Sequence, residues 1–281
     1  MPQIAQAMDA QGMPFDVSQS AAPGHAIDLA HQAALDGYQT VVAVGGDGTC
    51  NEVINGLMQA TAQGQRPTLG IIPVGSGNDL AYALNLPQTV AAACARLGHG
   101  SRQHIDVGEV SVDGFSRYFG NNLGLGFDAE VAVDVAQNQR FDGFAMYLWS
   151  VLRVLARGRW PYDMIIGLNG SQNSQPVTLI LISNGRRAGG GSLLTPEAKL
   201  DDGLFDICYA GSLTKPQLLW LLPKTFNGSH IHHPQVVMAR TNQINITVDR
   251  GVAAHVDGEI LSRSGQVFEV RLLPKALEVW V

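Results

Sequence analysis

The apolar positions of the chain keep two rhythms, and the change comes near residue 110. Before it, short apolar runs alternate with segments whose apolar residues recur three and four apart. Val41-Val42-Ala43-Val44 reads as a strand buried on both faces. Val53, Ile54, Leu57 and Met58 then follow helical spacing. Thr68 to Val74 is a second apolar strand, and Leu80 to Leu84 starts another helix. Ahead of them, Ile4, Ala7 and Met8 mark the tail of a helix, Pro14 to Val17 a short strand, and Ile27, Leu29, Ala30 and Ala34 a helix over 25–35. Thr89 to Leu97 forms an alanine-rich helix, and His104 starts a strand.

From Val110 the segments shorten. Val110–Val112 and Phe115–Asn121 read as a hairpin turned at Asp113-Gly114. Helical segments follow near 129–138 and 142–157. The second is apolar around most of its circumference, which suits a core helix or one wall of an acyl-chain cleft. Strands are predicted at 163–168, 177–183, 204–209, 236–240, 244–248, 253–256, 267–272 and 277–281. A polar turn covers 169–175 and a helix 217–226. Closely spaced short strands imply an all-β sandwich or barrel-like second domain.

The chemistry gathers where the first two strands end. Gly45-Gly46-Asp47-Gly48-Thr49-Cys50-Asn51-Glu52 follows one, and Gly75-Ser76-Gly77-Asn78-Asp79 the other. Strand, glycine turn and helix bring backbone N–H groups and a helix N-terminus against a phosphate. Glycine lets the backbone approach and permits positive φ. Asp47 could hold a hydrated magnesium ion there. Two such turns after consecutive strands suggest loops converging at the crevice beyond the strand ends.

Composition narrows the partners. The 281 residues suit two domains, with 46% hydrophobic and 15% charged residues. A net charge of −6 leaves no electrostatic footprint for nucleic acid. Cys50, Cys94 and Cys208 lack ligand spacing and fit a reducing cytoplasm. No run approaches the ~18–20 apolar residues of a membrane span, and Asp9 and Asp16 interrupt any leader-like start. Oligomeric state is left open. His230, His232 and His233 sit in a Gly/Pro-bounded loop without acidic or thiol partners and are expected to be solvated.

Gly-Gly-Asp-Gly-Thr-x-Asn-Glu at 45–52, Pro-Val-Gly-Ser-Gly-Asn-Asp at 73–79, Ser183 to Gly191, and Val256-Asp257-Gly258-Glu259 occur in this order. The set resembles the diacylglycerol and sphingosine kinases, the bacterial YegS-type lipid kinases among them. The resemblance implies an N-terminal Rossmann-like three-layer α/β domain, of the phosphofructokinase/NAD-kinase kind, over 1–105. A β-sandwich with helical insertions over 106–273 would follow, with 274–281 returning to the first domain. It also implies a strand and glycine loop ahead of the 25–35 helix, which this sequence lacks.

For function the resemblance implies an ATP- and magnesium-dependent kinase that phosphorylates a lipid hydroxyl, of a phosphatidylglycerol or diacylglycerol kind. Such an enzyme would be cytoplasmic and touch the inner face of the membrane. ATP would meet Ser20, the 45–52 turn and Gly75, Ser76, Gly77 and Asn78. Asp47, Asp79 and Asp106 would form a network around magnesium. Glu259 would be the general base, oriented by Asp257. Asp202, with the carbonyls of Lys199 and Leu204, would form a structural Mg²⁺ or Ca²⁺ loop. In the 184–191 loop, Arg186 or Arg187 would approach a nucleotide or lipid phosphate. Two other readings remain: an NAD kinase-like enzyme, and an N-terminally truncated, catalytically impaired nucleotide- or lipid-binding protein.

Overall fold

A computed structural model describes residues 2–137 and 143–281. Its first lobe contains α1 (Pro2–Asp9), α2 (His25–Leu35), β1 (Thr40–Gly45), α3 (Asp47–Ala62), β2 (Thr68–Pro73), α4 (Asp79–Ala83) and α5 (Val90–His99). β1 and β2 pair in parallel, Thr40 opposite Thr68 and Gly45 opposite Pro73. On one face α2 packs on α3 through small residues. A Cβ on Gly56 would lie 2.3 Å from the Ile27 carbonyl oxygen, so glycine sets how close the helices come. On the other face Met8, Cys94 and Leu97 pack around Ile72. The result is three layers.

The β-rich lobe contains β3 (Arg102–Val112), β4 (Phe115–Phe119), β5 (Asn122–Gly126), α6 (Phe127–Gln137), α7 (Gly143–Arg157), β6 (Tyr162–Leu168), β7 (Ser171–Val177), β8 (Leu179–Ser183) and β9 (Phe205–Ala210). After them come α8 (Lys215–Thr225), a 3-10 turn (Ser229–His232), β10 (Val236–Thr241), β11 (Gln243–Val256) and β12 (Glu259–Trp280). Its core gathers Phe119, Phe205 and Phe268 with the aliphatic side chains of the surrounding strands. Phe119 stacks on Phe205 at 5.6 Å.

β12 joins the lobes. It pairs with β11 from Glu259 to Arg271, with β3 from Phe268 to Trp280, and in parallel with β2 at Glu278 and Val279. Hydrogen bonding therefore runs β1-β2-β12-β11-β5-β8-β9-β10 through one sheet. A register shift between Leu273 and Leu277, with Lys275 at φ 49°, lets the strand bend from one lobe to the other.

Several predicted elements differ. Residues 14–17 are coil. α3 begins at Asp47, so Asp47, Gly48 and Thr49 form its first turn rather than a loop before it. The expected polar turn at 169–175 is mostly β7, whose exposed residues pair with β6 around Asn169-Gly170. The four separate strands expected at 244–281 are two long bulged ones. The expected boundary at residue 105 falls inside the continuous β3. α7 is amphipathic: Val151, Val154 and Leu155 are buried, whereas Leu148, Trp149 and Leu152 are 41–46% exposed. His230 is buried, not solvated; burial lowers its pKa, and its Nε2 lies 3.2 Å from the Leu194 carbonyl oxygen.

Candidate active site

Three loops and one turn meet above the carboxyl ends of β1 and β2. The 45–49 and 75–78 segments touch backbone to backbone. A Cβ on Gly75 would lie 2.3 Å from the Gly46 Cα, and the Val74 N–H donates to the Gly45 carbonyl at 3.0 Å. Asn78 holds the second loop in shape at φ 54°, its amide accepting from Gly75 N–H and donating to Gly75 C=O. Gly77 leaves room for Asp47, since a Cβ there would be 2.6 Å from Asp47 Oδ2. Glu259 reaches in from the β-rich lobe: a Cβ on Gly48 would be 2.2 Å from its Oε1. Asp47 and Glu259, 212 positions apart in the chain, thus face one space.

The electrostatics are those of gathered negative charge. Burial, then Asp79, raises the Asp47 pKa to about 6, against the Leu80 N–H that donates to it at 3.3 Å. Burial also pushes Asp79 up. The Gly190 N–H at 2.8 Å and the Arg187 guanidinium at 2.9 Å pull it back. Arg187 lies over the Tyr82 ring and donates to the Gly190 carbonyl.

Around this pair stands a scaffold. The Asp257 carboxylate accepts from Asn51 Nδ2 and from the N–H groups of Gly120, Asn121 and Asn122, all at 2.8–3.0 Å. It pins the turn before Glu259 to α3 and β5; its oxygens are spent on those donors and none bonds Glu259. Asn51 is fully buried and also takes Arg117, so its contribution is structural. Cys50 is buried, and burial raises its thiol pKa. The Glu52 carboxylate accepts from the N–H groups of Gly24 and Ala26 at the start of α2, which fixes the loop bearing the exposed Ser20. Thr49 packs against Gly45.

Asp106 is engaged differently. Its oxygens accept from Gly203 N–H and Lys275 N–H, both at 2.7 Å. It latches the Lys199–Leu204 loop to the bend in β12. Within that loop the exposed Asp202 accepts from Leu204 N–H at 3.2 Å. Arg186 points away from the cluster and donates to the Ala198 carbonyl.

One pair escaped sequence reasoning. His255 and Asp128 are hydrogen-bonded at 2.6 Å beside the 257–259 turn, and Gly258 N–H lies 3.3 Å from His255 Nδ1. Burial works to lower the imidazole pKa, but the charge and hydrogen bond of Asp128, with the charge of Asp257, together raise it. Gly124 makes room for both, since a Cβ there would be 2.4 Å from His255 Nε2. The glycines of Gly-Leu-Gly-Phe-Asp were the available signal, but nothing in the sequence pairs positions 127 residues apart.

A divalent cation and a polyphosphate fit this cleft. Asp47 and Asp79 offer hard oxygens whose mutual repulsion a cation would relieve. No group of three or more His, Cys, Asp or Glu side chains converges among the described residues, so other ligands would come from phosphate and water. Neither Gly46 nor Asn78, the residues before α3 and α4, makes a side-chain cap, which leaves the first N–H groups of α3 for phosphate oxygens.

Residues 1–110 match the family profile described as the diacylglycerol kinase catalytic domain. Residues 121–281 match the YegS C-terminal NAD kinase beta sandwich-like domain. A Bacillus subtilis protein named diacylglycerol kinase is 29% identical over 92% of this chain and 83% of its own. A Yersinia pseudotuberculosis protein named probable lipid kinase YegS-like is 32% identical, over 91% of this chain and 83% of its own. A crystal structure of a diacylglycerol kinase from Bacillus anthracis superposes with a TM-score of 0.78 at 24% identity, covering 99% of this chain and 90% of that one.

Proposed function

The chain belongs to the family of diacylglycerol and YegS-type lipid kinases, and from that premise we propose that it moves the γ-phosphate of ATP onto a lipid hydroxyl within this cleft. The observation that carries the reading is that Asp47 packs against Gly77 and Glu259 against Gly48, where only missing Cβ atoms leave space, with Asp79 near enough to raise the Asp47 pKa. In this reading the N–H groups at the start of α3 and the 75–78 loop cradle the phosphates. Asp47 and Asp79 hold Mg²⁺, which supplies neutralising charge for the polyphosphate. Phosphoryl transfer asks mainly for positioning and charge stabilisation. The acceptor oxygen bonds the γ-phosphorus as the bond to the bridging oxygen of ADP breaks, and the hydroxyl proton passes to the exposed Glu259 carboxylate. Asp257 and the Asp128–His255 pair hold the turn that aims Glu259.

The β-rich lobe is the side from which a lipid would come. A narrow cavity of about 50 Å³ has Asp128 on its wall and continues among Leu194, Leu213, Leu218, Leu222 and Val236 beneath α8. Its lining is mostly apolar, with Asp128, Ser192, Thr225 and His230 as polar members, and a full acyl chain needs α8 to shift. In this reading 1–105 would serve the nucleotide, 106–273 the lipid and 274–281 the return to the first lobe, with β3 and β12 running across the boundaries. Asp202 with the carbonyls of Lys199 and Leu204 belongs to the same proposal, as a weak structural cation loop below the cleft.

The test is transfer of label from ATP to a panel of diacylglycerol, phosphatidylglycerol and nicotinamide dinucleotide. Lipid alone should be labelled. Glu259→Gln should still bind nucleotide while kcat falls by about 10²–10⁴, the usual contribution of a general base. Labelled dinucleotide, or an unchanged kcat in Glu259→Gln, would overturn the acceptor class or the base respectively.

A further inference from the structure

A cavity of about 420 Å³ opens on the flank of the β-rich lobe, between α6, the end of α7 and the middle of the β11–β12 ladder. None of its lining residues belongs to the carboxylate cleft. Arg153, Arg157, Arg159, Arg250 and Arg263 line it against Glu130 and Asp134, five positive charges to two negative. The whole chain carries −6, so this is a local reversal of sign.

The arginines are not equivalent. Arg153 pairs with Asp134 at 3.4 Å. Arg250 lies over the Tyr162 ring and donates to the Pro161 carbonyl, while Glu130 accepts the Tyr162 hydroxyl. Arg157, Arg159 and Arg263 are exposed and make no ion pair among the described residues. Three planar forks around one concavity suit an anion with several oxygens, such as a phosphate.

What borders the cavity says where that phosphate comes from. At about 100° per residue, Leu148, Leu152 and Trp149 occupy one arc of α7, and Arg153 and Arg157 follow on the side turned to the cavity. The apolar arc is exposed, 45% at Leu148, 41% at Trp149 and 46% at Leu152. A helix with aromatic and aliphatic residues on one flank and arginines on the next lies naturally in a bilayer interface. A free anion would have no use for that apolar flank; a phospholipid would use both.

We propose that this cavity is a second lipid site, in which Arg157, Arg159 and Arg263 bind the phosphate of an anionic phospholipid while Leu148, Trp149 and Leu152 enter the acyl boundary. The site goes beyond the kinase reading: it holds the enzyme on an acidic bilayer and takes no part in phosphate transfer.

The experiment is sedimentation of the full chain, without ATP, on phosphatidylcholine vesicles with or without phosphatidylserine, which offers no free hydroxyl to phosphorylate. The wild-type protein should prefer the acidic vesicles. The triple variant Arg157→Gln, Arg159→Gln, Arg263→Gln should lose on the order of 10- to 100-fold of that preference, from the usual contribution of each basic side chain at a membrane surface. Should the triple variant unfold, Arg263→Gln alone is read instead, with a loss of about five-fold. Leu148→Ser with Leu152→Ser should weaken binding to both compositions. Glu259→Gln should sediment as the wild type does, so failure here is separable from failure of the kinase reading. Unchanged preference in the arginine variant overturns the site. Loss of the preference on adding millimolar inorganic phosphate, at ionic strength held constant, supports phosphate recognition. Protection by inorganic phosphate with no vesicle preference overturns the lipid assignment.

Discussion

Asp47 is where function costs stability. Its folded pKa of about 6 lies above the ordinary 3.8 of an aspartate, so the folded state binds its proton more tightly than the unfolded chain does. Below about pH 4 both states are protonated and the fold loses nothing. As pH rises through 6 the buried carboxylate ionises and destabilises the fold. Asp47→Asn should therefore melt higher than the wild type at pH 7, by roughly 1–3 kcal/mol, and the gain should vanish towards pH 4. Magnesium should raise the melting temperature of the wild type and not of the variant. Thermal melts across pH, with and without the ion, check both; a variant less stable at pH 7 would contradict the burial argument. At this scale the glycine-flanked Asp47 and Asp79 stand out in the sequence, whereas Glu259 is singled out only by the family resemblance. The sequence did not show which neighbours are scaffold. Asn51, Glu52 and Asp257 share the same motifs, yet each spends its side chain on N–H groups or side chains that only folding brings near.

Among elements, the contact of the two glycine loops is the strictest. A methyl on Gly75 would meet backbone, not a flexible side chain, so the loops must part. Gly75→Ala should lower nucleotide affinity at least ten-fold and cost about 1–3 kcal/mol of stability. Calorimetric titration and a denaturant series measure the two, and wild-type affinity would show that the loops separate without consequence. The glycine turns, β1, β2 and the helices between them could be read from periodicity because each is short and uniform. β11 and β12 could not be, since bulges at 247–252 and 273–277 break the alternation that marks a strand. β7 failed for the opposite reason: its polar residues face water on an exposed hairpin, and nothing apolar announces it. α7 is rich in apolar residues, and only its neighbours decide which of them face outwards.

For the whole molecule, β12 makes the two lobes one cooperative body. The amides of Phe268 and Val270 in the sandwich core and of Val279 beside β2 sit on a single ladder, all buried. They should exchange with solvent at one common rate limit, and denaturant should unfold the chain in a single transition. Hydrogen exchange resolved along 259–280 checks this; two separate limits would mean that the lobes unfold independently. The division into an α/β half and a β-rich half was plain from the change of rhythm near residue 110. The shared strand was not, because parallel pairing of residues 278–279 with 68–69 leaves no mark on either segment.

The same strand also limits how the enzyme can breathe. Jaws need a pivot, and here the place where a pivot would sit is spliced into the sheet and bolted by the Asp106 latch to Lys275 and Gly203. If the cleft takes a nucleotide as proposed, its admission and the release of product would fall to the short loops at 75–78 and 187–191, and turnover would be paced by segments a few residues long rather than by swinging halves.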